Sequence, residues 1–336
     1  MNKTTRAWLR FAILLGLVLV SAYLYLGGLE IRRVAETAAD ASPAYLAAAA
    51  VVYALSWPPR GLRYRDVLAG MGHSTRTTTM TGAVFVSQTA NLVFPARAGD
   101  ASRAYVVKRR AGVPYRTGIA SLAGERFLDV VTVGGLAATG VVLAFAGGES
   151  VEVTRHPEVV WGSAVLVVLA AGFAVLVHET SGDGLAGLAR LPLVGADAVD
   201  LLQGFVDDVA TVVSEPRPLA SLLAWSLVAW GLDVAAGVLV LVAADVNPAT
   251  ALPAALLGVG VGNLAKAVPA TPGGIGLYEA GFAASVTAAF PVAWHTALAA
   301  AVLDHALKNA VTVAGGVASA AALNVSLVDP GGDREA

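Results

Sequence analysis

Two apolar stretches of this chain are interrupted by the same short phrase, once in each half. The first interruption reads Asn91-Leu-Val-Phe-Pro95-Ala-Arg97-Ala-Gly99-Asp100 and the second Asn263-Leu-Ala-Lys266-Ala-Val-Pro269-Ala-Thr-Pro272-Gly273-Gly274. Each has Asn-Leu and then Pro-Ala-x-x-Gly. A helix broken at membrane depth frees backbone groups that lipid cannot satisfy, so the break must be buried in protein or line a cavity. Paired Gly/Pro interruptions at corresponding places in two halves point to a binding site between structural repeats.

That argument holds only if the surroundings are lipid, and composition says they are. Of 336 residues, 57% are hydrophobic and 14% charged, with a mean hydropathy of +0.70. Soluble domains carry about 25% charge. A net charge of −2 says nothing about partners, and no pattern points to nucleic acid. The absence of cysteine excludes disulfides, thiol chemistry and Cys-based metal sites.

A span needs about 20 apolar residues. Stretches of that kind fall near 8–28, 44–60, 118–146, 159–178, 218–244, 250–268 and 295–323. Two more, 77–95 and 273–290, are shorter or broken and suit re-entrant helices. The expectation is an all-α polytopic membrane protein with about seven transmembrane helices plus re-entrant pieces, forming one integral membrane domain over 1–328. The N-terminal run follows Lys3, Arg6 and Arg10 but is long enough to span and has no A-x-A-like site, so it reads as a retained helix. Lys and Arg concentrate in segments 1–10, 59–76 and 97–116, which puts the N-terminus in the cytoplasm and the protein in the cytoplasmic membrane. Residues 195–214 read either as an amphipathic helix at the inner surface or as a plain linker. The tail, 329–336, is polar and expected to be disordered.

The halves, about 44–146 and 218–323, carry the same parts in order but run in opposite directions, as inverted repeats do. Arg60 lies 35 residues before Pro95, and Asp233 lies 36 before Pro269. Glu125-Arg126 follows the first break as Asp304-His305 follows the second.

Charges in apolar runs cost roughly 2.5–3.5 kcal/mol each at the bilayer centre. Glu125, Arg126 and Asp129 sit at helical spacing near one end of an apolar run; Asp304 and Lys308 form an i,i+4 pair in the middle of another. Each cluster reads either as a salt bridge pinning helices or as the wall of a polar cavity. Arg97, Asp100 and Arg103 share a face if helical, and Gly99 permits close backbone approach. Arginine binds phosphate by bidentate hydrogen bonds, so a lipid phosphate is the natural ligand. After Pro269, Pro272, Gly273 and Gly274 a new helix is expected near Gly276. Its N-terminal amides suit an anionic headgroup, and Glu279 reads either as a cap or as a substrate contact. Asn91 and Asn263 complete the candidate substrate-binding set. Lys108-Arg109-Arg110 reads mainly as positive-inside anchoring, and Trp57, Trp161, Trp225 and Trp230 as interface anchors or packing. The scattered histidines have no metal-binding spacing, no nucleotide-binding motif is present, and no cofactor is implied.

Together, Asn91…Pro95-Ala-Arg97-Ala-Gly99-Asp100…Arg103, then Glu125-Arg126-Phe-Leu-Asp129, and Pro269-Ala-Thr-Pro272-Gly273-Gly274-Ile-Gly276-Leu-Tyr-Glu279 resemble the flippase-like integral membrane family that includes the transmembrane region of lysylphosphatidylglycerol synthases. The resemblance covers roughly 8–323. It implies a bundle with re-entrant helices that translocates or holds a phospholipid or a polyprenyl-phosphate-linked lipid. The aminoacyl-transferase domain of those synthases has no counterpart in these residues, so lipid aminoacylation does not carry over.

Three readings follow. The first, and favoured, is a non-enzymatic flippase moving an anionic lipid past Arg97, Arg103, Glu125, Arg126, Asp304 and Lys308. The second is a membrane scaffold presenting lipid to a separate glycosyltransferase or cell-envelope enzyme. The third is an intramembrane transferase with Glu125 or Asp304 as base. Oligomeric state, lipid identity and energy source are not legible.

Overall fold

A computed structural model describes residues 31–94, 99–146, 216–266 and 271–325. The expected spans at 8–28 and 159–178, the segment 195–214, the tail, and Pro95, Arg97, Trp161 and Pro269 lie outside the described residues.

Among the described residues every regular element is helical. In order these are α1 (Ile31–Asp40), α2 (Pro43–Leu55), α3 (Trp57–Gly70), α4 (Thr77–Val93), α5 (Gly99–Ala111), α6 (Tyr115–Ala146), α7 (Pro216–Ala243), α8 (Pro248–Ala265), a short 3-10 turn (Pro272–Gly274), α9 (Leu277–Ala289) and α10 (Trp294–Leu323). Four helices among the described residues are long and apolar enough to cross a membrane, or five if Ile31–Asp40 and Pro43–Gly70, bent by 82°, form one span. The chain is an all-α membrane protein, and the described residues do not support a count of seven.

Local sequence explains the element ends. Pro43 and Pro248 open α2 and α8, where a missing N–H costs nothing. The Asn247 side chain caps α8 by accepting from the Ala249 N–H at 2.9 Å. Asn324 ends α10 in the left-handed region (φ 47°), and Val325 N–H closes back onto the Ala320 carbonyl. One boundary differs from expectation. The helix predicted to end near residue 60 turns at Ser56 and continues as α3 to Gly70, because Trp57, Tyr64, Val67 and Leu68 all bury against neighbours. Arg60, Arg63 and Arg65 therefore ride on a packed helix and not in a loop. The buried Arg63 and Arg103 are accordingly poor counts toward an inner-loop positive excess.

Helices α4–α5–α6 and α8–α9–α10 have matching order and size: 17, 13 and 32 residues against 18, 13 and 30. Each half lends its long helix to the other: α6 packs on α8, and α10 packs on α4. Small residues make both crossings close. A Cβ on Gly140 would sit 2.7 Å from the Leu257 backbone nitrogen, and one on Gly260 2.7 Å from Ala137 Cβ. At the other crossing, a Cβ on Gly316 would meet the Thr89 hydroxyl at 1.9 Å. In lipid, where apolar surface gives helices little reason to associate, such close packing is a main source of cohesion.

Candidate functional site

The two breaks meet. A Cβ on Gly273, whose φ of 63° favours glycine, would lie 2.9 Å from Leu92 of the first break. Gly274 packs against the aliphatic stem of Lys266. Asn91, Leu92 and Phe94 from one break, and Asn263, Leu264, Lys266, Thr271, Gly273 and Gly274 from the other, line a single cavity of about 400 Å³. Arg60, Arg63, Asp100, Arg103, Glu125, Arg126, Asp129, Asp233, His305 and Lys308 complete its charged wall.

The charges form two balanced networks. In the first, Glu125 receives both Arg63, at 3.2 Å, and Arg103. Arg63 also reaches Asp129 at 2.7 Å and Ser226 at 3.0 Å, and Arg103 donates from Nε to Ser87 at 2.9 Å. Trp230 Nε1 donates to Asp129 at 2.9 Å. Arg126 bridges Asp100, at 3.0 Å, and Asp129, at 3.5 Å, while Asn91 donates to Asp100 at 2.8 Å. The second network is Arg60–Asp233 at 2.7 Å, Lys308–Asp233 at 2.6 Å and Lys308–Asp304 at 2.8 Å, with Tyr278 donating to Asp304 at 2.5 Å. Buried charge is tolerated in surroundings this apolar because each ion has a partner of opposite sign.

Several sequence expectations can now be located. Arg126 reaches Asp129 and Lys308 reaches Asp304, as their spacing implied. Glu125 and Asp129 do share a face, and both turn to Arg63. Asp100 and Arg103 lie one turn apart at the start of α5 but go to different partners, Arg126 and Glu125. A new helix begins after Gly276, which adopts φ 85°. Glu279 caps it by accepting the Gly276 N–H at 2.7 Å, and its other oxygen meets His305 Nδ1 at 2.7 Å. It lies behind His305 and is not among the cavity-lining residues. The Asn263 amide is turned back onto the Val259 carbonyl of its own helix at 2.8 Å.

Sequence reasoning overlooked Arg63, which looked like one more cytoplasmic cation; the signal was its place one turn beyond Arg60 on the same helical face. Tyr278, Ser226 and Trp230 were likewise invisible as site residues, because an aromatic or serine in an apolar helix reads as packing. Trp57 is buried and stacked on Phe85 at 3.6 Å, so it is internal packing; Trp225 is half-buried and donates to Asp66.

Such a site can hold a polar group inside an apolar bundle. A cavity of about 400 Å³ falls within the usual range for small-molecule sites. Among the described residues Arg126 is the most exposed of the cavity's paired cations, its side chain 32% accessible.

Comparison with known proteins agrees with this architecture. The chain is 43% identical over 345 aligned residues to a protein named Glycosyltransferase AglD from Haloferax volcanii, covering 95% of this chain and 55% of that protein. It thus spans about half the length of that curated relative. The family model for the lysylphosphatidylglycerol synthase TM region matches residues 8–316, and the chain belongs to that family.

Proposed function

We propose that this chain binds the anionic headgroup of a membrane lipid, a phospholipid or a polyprenyl-phosphate-linked lipid, and carries it across the cytoplasmic membrane while the tails stay in the bilayer. The observation that carries the reading is that both helix breaks open into one charged cavity inside an apolar bundle. The cross-packing of α6 on α8 and α10 on α4 supports inverted repeats with the path at their interface. Because the cavity's arginines and Lys308 are already paired, a phosphate gains its contacts by exchange. It takes Arg126 from Asp100 first, with the remaining pairs rearranging behind it. The topology proposed with it has the N-terminus in the cytoplasm. No chemical step is assigned to the chain.

The test is headgroup accessibility of a fluorescent phosphatidylglycerol in proteoliposomes, with wild type beside Asp304→Ala and Arg103→Ala. Movement by wild type that both variants lose, with each variant still monodisperse, supports transport. Undiminished movement by either variant overturns it. A second reading is favoured by the relative's printed name and by the half of that relative which this chain does not cover. In that reading the chain presents lipid to a glycosyltransferase. Stable co-purification with such an enzyme, and no lipid movement alone, selects it.

A further inference from the structure

A similar four-residue clasp occurs in both halves, and two of its positions differ in chemistry: Arg103 against Tyr278, and Arg126 against His305. Glu125 follows the first residue of α6, Tyr115, by ten positions, as Asp304 follows the first residue of α10, Trp294. Arg126 and His305 are therefore equivalent, and each is held by an acid from the first turn of the preceding short helix. Asp100 of α5 takes Arg126 at 3.0 Å, and Glu279 of α9 takes His305 at 2.7 Å. The acid before each base is bound by that same short helix too, Glu125 by Arg103 and Asp304 by Tyr278. In the first half the base is a guanidinium, which never gives up its proton. In the second it is an imidazole, the side chain that exchanges one near neutral pH.

A second observation concerns the ring's other nitrogen, one of several buried polar atoms of these networks without a hydrogen-bond partner, Asn91 Oδ1 and Asp304 Oδ1 among them. His305 Nδ1 is engaged by Glu279, yet Nε2 is buried and has no hydrogen-bond partner, in a residue that lines the cavity. Orphaned buried polar atoms are rare and call for a cause. With the Nδ1 proton shared with Glu279, Nε2 carries a bare lone pair. Protonation there adds an N–H donor and a positive charge to the wall, matching what Arg126 supplies permanently on the other side.

We propose that His305, clasped by Glu279, is a proton-binding site, and that its occupancy sets how tightly the cavity holds an anionic headgroup. The second half of the statement rests on the headgroup reading above. Proton and phosphate then bind cooperatively, and by linkage each raises the other's affinity by the same factor. A proton gradient thereby biases lipid movement. The ring meets Tyr278 and Glu279 of α9, and Asp304 and Lys308 lie beside it on its own helix. Sharing the cavity with it are Asp233 of α7, Arg60 of α3, Tyr53 of α2 and Lys266 at the end of α8, whose ammonium lies 5.4 Å from the Tyr278 ring. Helix α4 carries no charged residue, and α1, which also packs on α10, buries none of its residues. Lys308 stays paired with Asp233 and Asp304.

Two measurements test this separately. In the first, proton uptake per chain between about pH 8.5 and about pH 5.5 is counted by titrating detergent-purified wild type, His305→Arg and His305→Gln. Each variant takes up one proton fewer than wild type; equal uptake overturns the site. In the second, a fluorescent short-chain phosphatidylglycerol is bound at the two ends of that range. Wild type binds about tenfold more tightly at the acid end, His305→Arg binds tightly at both, and His305→Gln weakly at both. A His305→Arg protein that keeps the tenfold change overturns the coupling. Wild type that takes up the extra proton but binds the probe at neither pH overturns the headgroup reading and the coupling, while the proton site itself is supported.

Discussion

Arg60 Nη2 lies 2.7 Å from Asp233 Oδ2, joining α3 of one half to α7 of the other. Trp57 and Trp230 each precede their partner by three positions, and the Arg60 guanidinium lies 5.5 Å from one ring and 5.1 Å from the other. The pair thus stands where the halves meet, flanked by equivalent aromatics, and Asp233 passes the charge on to Lys308.

Removing one partner of this pair leaves a buried ion uncompensated, at a cost of about 3–5 kcal/mol. Asp233→Ala is expected to be worse than Arg60→Ala, because Lys308 loses a carboxylate as well. The double variant is expected to recover part of the loss. Thermal melting of the four proteins in one detergent gives the coupling; additive losses would show that the pair does not bind the halves together.

Glu125 is the shared acceptor for Arg63 and Arg103, all three nearly inaccessible. Glu125→Gln takes from the buried Arg103 the carboxylate that holds it and from the buried Arg63 one of two. A larger drop in melting temperature is therefore expected than for Asp100→Asn, whose main partner Arg126 is partly exposed and also reaches Asp129. Equal drops would mean that burial of these arginines does not set the cost.

Two glycines of α6 separate packing from propensity. A Cβ on Gly140 meets the Leu257 nitrogen at 2.7 Å and the Pro253 carbonyl oxygen at 2.9 Å, backbone atoms that cannot step aside. Gly140→Ala is expected to destabilise by about 1–3 kcal/mol. Gly135 has open space at the same point, so Gly135→Ala is expected to be neutral or stabilising by up to about 1 kcal/mol. Unfolding of both variants in a denaturant series reads the sign; matching effects would remove the α6–α8 crossing as the cause.

Gly276 holds φ 85° where α9 begins, and its N–H is the one that Glu279 caps. Gly276→Ala forces a side chain into that conformation at about 1–2 kcal/mol, with loss of melting temperature expected. Gly124→Ala, at a position with open space, serves as the control. An unchanged melting temperature for Gly276→Ala would show that the turn has an alternative.

The long elements were legible because their determinants are local. Runs such as 118–146 and 295–323 are apolar enough to span on composition alone, and the structure places helices at Tyr115–Ala146 and Trp294–Leu323. Spacing along one helix also announced Arg126–Asp129 and Asp304–Lys308, since residues three and four apart must meet. Arg63 could not be assigned in the same way: its partners Glu125 and Asp129 lie on another helix, 62 and 66 residues on.

What the sequence determined by itself is an all-helical membrane chain interrupted twice in the same style. Hydrophobic runs, prolines and glycines act on their own stretch of backbone wherever it sits. Only the tertiary structure decided that the two interruptions face one cavity, that Arg60 meets Asp233 across the halves, and that Glu279, while capping its own helix, also clasps His305. Those outcomes depend on how helices cross, and in lipid the crossing is set by where small residues let two backbones close. The charges, unable to stay unpaired in such surroundings, then take whichever partner the crossing brings within reach.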